Sequence, residues 1–374
     1  MTHIRLQNVS VLLRSTVYGR PLEVQALDDV TLNVRSGETM GVIGPTGCGK
    51  TTLLRTVAGL VKPDSGTVYF DGVDQTAVPP KDRGLGMVFQ DHALYPHLSV
   101  WDNLAFYFRL RRREDEVSPK VRDAAEILGV DLSLLLGRLP RNLSVGQRQQ
   151  VAIARCLVRD PNIFLMDEPF AHLDALQRQH ARIQLKRLLN HFRVTTLYVT
   201  HDQIEAAALC DRVAFMDRGH VRQVDAYLNL LRWPNDRQVA EFIAEPGTQF
   251  VEGAYLEGHF ACPAFSLPLQ PHVRTRVEPG QGLTVRVRPV AVAIPEPAGC
   301  RGVLVRGEAS WIEPLPMQHL QRVTCQAASA SLTVEVPLDH QVRVGEPVDL
   351  CVDPQQVEVF DSKSGANLAF RTPE

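Results

Sequence analysis

Through residue 244 the chain alternates short apolar runs with longer stretches of helical periodicity, the pattern expected when helices cross over a mostly parallel sheet. IRLQNVSVLL and ALDDVTLNV, within residues 4–35, read as strands, the second with the apolar and polar alternation of a half-buried strand. MGVIG is continuously apolar and predicts a buried strand, and TTLLRTVAGL predicts a helix ending near Gly59. Turn residues at PDSG and FDG around TVYF predict hairpins at a sheet edge, and LGMVFQ predicts a strand ending in Gln90. A charged, helix-patterned segment follows, and within it VSPKVRDAAEILGV is amphipathic.

In LSVGQRQQVAIARCLV, Ser144 stands at an N-cap position with Gln147 three residues on, the arrangement of a capping box. NIFLMDEP and TTLYVTHD predict two more buried strands, separated by a helix from about Ala175 to His191. VAFMD and VRQVD read as a closing hairpin, followed by two helices through about Ala244. Beyond Glu245-Pro246-Gly247 the helical patterns stop. Short alternating runs such as LTVRVRPVAVAI, RGVLVRG, SLTVEV and EPVDLCV take over, which predicts a small all-β, barrel-like domain.

A length of 374 residues suits two or three domains. Lys plus Arg total 40 against 42 Asp plus Glu, so no global field selects nucleic acid or an anionic membrane. The basic run RLRRR is followed at once by EDE, which favours a solvated helical face. MTHIRLQNVS lacks a signal-peptide core, and no apolar run approaches the length of about 18 residues that a spanning helix needs. Neither a membrane crossing nor signal-peptide export is expected. Seven cysteines, scattered and without any C-x-x-C pair, read as reduced thiols of a cytoplasmic protein.

Chemistry concentrates at the ends of the buried strands. GPTGCGKT, Gly44 to Thr51, fits the phosphate-loop template G-x-x-x-x-G-K-[ST] at every fixed position and lies between a strand and a helix, as that template requires. Its glycines free backbone N–H groups for phosphate oxygens, the helix N-terminus adds partial positive charge, Lys50 reaches the β and γ phosphates, and Thr51 holds Mg²⁺. Asp167 and Glu168 end a strand at the sheet edge where ligands bind in open α/β folds. Asp167 is placed to hold Mg²⁺ through water and Glu168 to orient or deprotonate a water, although a solvated acid pair has the same sequence. Gln90 ends another strand and can touch both metal and water. His201 ends a fourth strand at the same edge, suited to a γ-phosphate contact. Ser144 offers a second helix N-terminus for phosphate. Tyr18 is suited either to stack on a purine or to pack at the surface.

GPTGCGKT, Gln90, LSVGQ, FLMDE, HLD at 172–174 and His201 follow the order and approximate spacing of an ABC transporter ATPase subunit, which the chain resembles over nearly its whole length. KDRGLGMVFQDHALYPHLSVWDNLAF is similar to the carbohydrate-importer branch, the maltose and glycerol-3-phosphate type. FDSKSGANL is similar to the end of that branch's C-terminal β domain, called TOBE. The resemblance implies an α/β P-loop NTPase, an ABC ATPase core with an antiparallel β subdomain and a helical subdomain, over residues 1–244. The helical part is expected at about 91–158, and an all-β OB-like domain over 245–374.

The cofactors implied are ATP and Mg²⁺. Tyr18 would stack on adenine, and Gly44, Pro45, Thr46, Gly47, Cys48, Gly49, Lys50, Thr51 and Thr52 would surround the phosphates. Thr51, Gln90 and Asp167 would serve the metal, Glu168 would act as general base, and His201 would meet the γ-phosphate. Two copies would sandwich two ATP molecules, with Ser144, Gly146 and Gln147 reaching the nucleotide of the other copy and Asp174 in the loop that crosses the dimer. The groove near Gln90 and residues 91–104 would receive a helix from each of two membrane-spanning permease subunits. An extracytoplasmic solute-binding protein would act indirectly, and the chain would sit peripherally on the cytoplasmic side of the cell membrane.

Two departures stand out from the family pattern. Val145 replaces the first glycine of LSGGQ, which would strain the turn if it needs positive φ, and Ala171-His172 replace the usual Ser-Asn. Polyamine, ferric-iron and sulfate importers share the layout and remain alternatives for the cargo. A catalytically weak nucleotide-binding regulator is the alternative that Val145 and the altered Ala171-His172 pair motivate. An ABC protein acting on DNA or ribosomes would be expected to carry a second cassette or a long coiled coil, and no nucleic-acid partner is expected.

Overall fold

The computed structural model describes residues 2–17, 20–128, 134–295 and 299–369. Two compact units divide between Asn229 and Leu230.

The first unit opens with β1 (Ile4–Val17) and β2 (Arg20–Val34), then β3 (Thr39–Ile43), α1 (Lys50–Ala58), β4 (Ser65–Phe70), β5 (Val73–Asp74) and β6 (Leu85–Val88). Next come α2 (Val100–Leu110), α3 (Val117–Leu128), α4 (Val145–Leu157), β7 (Ile163–Asp167), α5 (Ala175–Phe192), β8 (Thr195–Val199), α6 (Gln203–Leu209), β9 (Arg212–Asp217) and β10 (His220–Asp225). An antiparallel sheet has the order β2-β1-β4-β5, and a six-stranded sheet has the order β10-β9-β3-β8-β7-β6. Within the larger sheet β3, β6, β7, β8 and β9 run parallel, and only the edge strand β10 is antiparallel to its neighbour.

The continuous apolar runs are explained by burial on both faces of that sheet. Ile163 and Leu165 of β7, with Leu197 and Val199 of β8, belong to one core with α1 and the antiparallel sheet. The intervening Phe164, Met166 and Tyr198 point into a second core built from α2 to α5. Each strand therefore faces two cores with a period of two residues. RLRRR does not lie along a helix face: α2 ends at Leu110, Arg111–Arg113 turn, and EDE forms a short 3-10 turn before α3.

The helix α7 (Tyr227–Arg232) spans the division. Residues 230–244, expected from the sequence to close the first domain, are tied to the second unit. The Arg237 N–H donates to Gly365 O at 2.8 Å, and Asn367 Nδ2 donates to Pro234 O at 2.7 Å. The second unit contains α8 (Arg237–Phe242), β11 (Gln249–Leu256), β12 (His259–Ala261), β13 (Ser266–Pro268), α9 (Pro271–Arg274) and β14 (Gly282–Val287). It continues with β15 (Val292–Ala293), β16 (Val303–Leu315), β17 (Leu320–Ala327), β18 (Ala330–Pro337), β19 (Pro347–Val352) and β20 (Glu358–Asp361). Its strands form two five-stranded sheets, β13-β12-β11-β14-β20 and β15-β19-β16-β17-β18, over one apolar core. The tail FDSKSGANL is a turn organised by Asp361, whose carboxylate accepts from the N–H and hydroxyl of Ser364 and is thereby held down to about 2.

The cysteines correct one expectation. Cys300 and Cys351 are joined as a disulfide, with Cα atoms 5.6 Å apart. A separation of 51 residues hides the pair in the sequence. The fold brings them together because β19, which carries Cys351, pairs with both β15 and β16, and Cys300 lies on the connection between those two strands. The other five cysteines are free thiols.

Candidate functional site

The parallel register aligns the ends of four strands. Val42 of β3 lies opposite Val199 of β8, Asp167 of β7 opposite the same Val199, and Val88 of β6 opposite Met166. Gly44, Gln90, Asp167–Glu168 and His201 consequently emerge at one edge of the sheet.

At that edge the chain leaves β3, turns through Gly44–Gly49 and enters α1. Gly49 has φ 110° and caps the helix without a side-chain hydrogen bond. A Cβ there would stand 2.3 Å from Ala26 O, so both the backbone conformation and the close approach require glycine. Gly44 is constrained in the same way, with Met216 O only 2.0 Å from a would-be Cβ. Pro45, Thr46 and Gly47 are exposed and Cys48 is buried. Lys50 is buried and folded over its own loop, its Nζ donating to Gly44 O at 2.8 Å and Pro45 O at 2.9 Å. Thr52, half-buried, lies in the first turn of the helix and accepts at its carbonyl from Thr56 Oγ1.

Thr51 Oγ1 donates to Asp167 Oδ1 at 3.1 Å, which brings together two of the three residues expected at a metal. Asp167 is 6% exposed, and burial raises its carboxyl above the ordinary value, with the neighbouring Glu168 adding to the effect. A desolvated acid whose partner here is a neutral hydroxyl suits a small divalent cation, whose charge would reverse that shift. Among the described residues no cluster of three or more His, Cys, Asp or Glu could hold a metal. The Thr51 hydroxyl and the Asp167 carboxylate are oxygen donors of the kind that fit Mg²⁺, which keeps waters and phosphate oxygens in its shell.

Glu168 has φ 44°, a left-handed conformation that costs a non-glycine residue on the order of 1 kcal/mol or more. Its N–H donates to Val199 O at 3.0 Å, and its Oε2 lies 3.1 Å from Nδ1 of the exposed His201. The strained turn thus directs an acid and an imidazole toward each other beside Asp167. Gln90 lies exposed in the turn two residues past β6. Tyr18 lies outside the described residues.

The Ser144 turn stands apart from this group. Ser144 Oγ accepts from the Gln147 N–H at 3.2 Å, and Gln147 Oε1 accepts from the Ser144 N–H at 3.0 Å, completing the capping box. Val145 is the first residue of α4 and has no positive φ, so the strain feared for a β-branched residue does not arise. Gly146 would accommodate a Cβ at ordinary contact distances. A cavity of about 390 Å³ opens here between α4 and α5, lined by Ser144, Gly146 and Gln147 but by no residue of Gly44–Thr51. Asp174 caps α5, its Oδ1 accepting from the Gln177 N–H at 2.8 Å.

A second cavity, of about 400 Å³, is lined by Phe89, Tyr95, Phe106 and Tyr107 together with Arg155 and Arg159, beside the segment that follows Gln90. His172, one of the departures from the family pattern, has its Nε2 3.8 Å from Asp91 Oδ1. Residues that the sequence did not single out also border the site. Arg178, Tyr198 and Glu205 form a network behind His201 together with Asp202, which the sequence places beside His201 at the strand end. The available signal was the position of Arg178 one helical turn after Asp174.

The sequence of residues 27–171 matches the family described as ABC transporter. The xylose/arabinose import ATP-binding protein of Haloferax volcanii is 38% identical over 357 residues, covering 92% of each chain. The trehalose/maltose import ATP-binding protein of Thermococcus litoralis is 38% identical, covering 92% of this chain and 95% of its own. The sn-glycerol-3-phosphate import ATP-binding protein of Salmonella typhimurium is 41% identical over 276 residues, covering 73% and 76%. Among solved structures, a dimeric ATP-binding cassette in a post-hydrolysis state bound to ADP and Pi is similar, with 27% identity and a TM-score of 0.52. That match covers 60% of this chain and 98% of the other.

Proposed function

Because the chain belongs to the ABC transporter family, at 38% identity over nearly its whole length to importer ATP-binding proteins, we propose that it is the ATP-hydrolysing subunit of an importer for sugars or glycerol-phosphate-like solutes. The observation that carries the reading is the convergence of the Gly44–Thr51 loop, the Thr51–Asp167 contact and the Glu168–His201 pair at one sheet edge.

In this reading the loop N–H groups and the α1 N-terminus receive the phosphates of ATP, and Lys50 exchanges its two loop carbonyls for phosphate oxygens. Thr51, Gln90 and Asp167 would hold Mg²⁺, which when bound would neutralise phosphate charge. Glu168 accepts a proton from the attacking water at its carboxylate. His201, held by Glu168, donates to the γ-phosphate. The Ser144 turn of a second copy closes over the nucleotide, since the cavity that Ser144 lines within one chain includes no residue of Gly44–Thr51. This requirement agrees with the dimeric state of the similar cassette. The aromatic cavity beside Gln90 would take a helix from a membrane-spanning permease subunit. The chain would then act peripherally at the membrane, and no described helix is long and apolar enough to cross one.

The test is ATP hydrolysis by the purified chain. We expect steady turnover that falls by about 100-fold or more in Glu168→Gln while ATP binding persists. Full turnover in that variant would remove Glu168 from the reaction.

A further inference from the structure

Behind the candidate site a set of polar side chains ties the loop preceding α5 to the turn that carries His201. Arg178, one turn into α5, spreads its guanidinium between two partners. Nη2 donates to Leu173 O at 3.2 Å, and Nη1 donates to Asp202 Oδ2 at 3.2 Å. Its Nε lies 3.9 Å from Glu205 Oε1. Because the fork is planar, its two ends cannot move independently, unlike those of a flexible ammonium. Displacing Leu173 must therefore displace Asp202 or break a charge-assisted hydrogen bond.

Both chain neighbours of His201 are locked to this network. Asp202 donates its N–H to Thr200 Oγ1 at 3.0 Å, and its Oδ1 accepts from the N–H groups of Ile204 and Glu205, capping α6. Thr200 Oγ1 and Tyr198 Oη both donate to Glu205 Oε2 at 2.8 Å. Glu205 and Tyr198 are buried, so breaking any one bond leaves a buried polar group short of a partner. His201 itself is exposed and anchored to Glu168. Its backbone is placed by residues 200 and 202, and its ring is held by the contact with Glu168, not by packing.

We infer that Arg178 is a positioning residue: it transmits the placement of the Phe170–Asp174 loop to His201, so that the imidazole is held at the γ-phosphate when that loop is seated. The inference rests on the ATP-hydrolysis reading above and adds to it a link between the loop and hydrolysis. Arg178 acts through Asp202 and its backbone, not on the nucleotide.

The experiment is a double-mutant cycle on the 374-residue chain, with phosphate release measured sensitively enough to follow His201→Ala. Arg178→Ala should lower kcat by about 10-fold or more while leaving KM and the ATP dissociation constant within about twofold. In the His201→Ala background the same substitution should cost less than about twofold, because the group it positions is gone. Asp202→Asn keeps the side-chain shape and the Oδ1 cap while removing the charge pair. It should match Arg178→Ala and add nothing to it, and it carries the test if Arg178→Ala loses its cooperative melting transition. Unchanged kcat in both single variants, or losses that multiply with that of His201→Ala, would overturn the inference alone. Absence of hydrolysis by the unmutated chain would instead overturn the ATPase reading and this inference with it.

Discussion

Two helix N-termini in the first unit are finished in opposite ways. α1 begins at Gly49 with no side-chain cap and no acid in its own first turn, so no capping side chain competes for the backbone N–H groups at the positive end of the dipole. α4 begins at Ser144 with both halves of a capping box closed. The first terminus is left open for an anion. The second is satisfied before any ligand arrives, and in the proposed reading this difference would set how each binds phosphate. In the capping box Ser144 Oγ accepts from the Gln147 N–H, which occupies a lone pair and leaves the hydroxyl proton free to donate outward. The α1 site thus offers backbone N–H groups, and the α4 site offers one oriented hydroxyl on a stable helix end.

The largest effect is expected where the open terminus loses the Lys50 ammonium. Lys50→Ala should reduce ATP hydrolysis by about 100-fold or more, because a buried ammonium that already sits over Gly44 O and Pro45 O is removed from the phosphate path. Retained turnover would break the comparison at its stronger end. At the capped terminus, Ser144→Asp separates the two roles of the hydroxyl. Aspartate caps a helix as well as serine does, so the melting temperature should hold within about 2 °C. The carboxylate has no proton to donate and repels phosphate, so hydrolysis should fall by about 10-fold or more. A variant that lost stability and activity together would show that Ser144 is only a cap.

How much of this was legible in the sequence follows from the range of the interactions concerned. The capping box, the strands ending in Asp167 and Val199, and the glycine-rich turn are local, fixed by residues within a few positions of one another, and the pattern predicts each. The Thr51–Asp167 contact spans 116 positions, and the sequence places both residues at a shared metal, through the phosphate-loop template and the strand end, without predicting their direct contact. The Arg178 network and the Cys300–Cys351 pair carry no such template. Their partners are set by strand order, which places β8 between β3 and β7 and β19 between β15 and β16. The strain anticipated at Val145 failed for a local reason as well. The capping box makes that residue the first of the helix, where φ is negative and a β-branched side chain loses only some rotamer freedom.

The smallest predicted effect tests that last point. Val145→Gly restores the glycine that the family pattern carries at this position. If a positive φ were needed, the glycine would relieve strain and raise turnover. The φ at Val145 is not positive, and its side chain is half-buried against the core formed by α2 to α5, so glycine gains nothing in conformation and gives up an apolar contact. The expected result is a loss of stability of about 1 kcal/mol from helix propensity and lost packing, seen as a small drop in melting temperature. Hydrolysis should change by less than about threefold, because Ser144 Oγ and the Gln147 N–H keep their bond across the substitution. A tenfold gain in turnover would mean that the closed state of the dimer requires a conformation of this turn that α4 does not hold in the single chain, and the contrast between an open and a finished helix end would then apply only to the unliganded subunit.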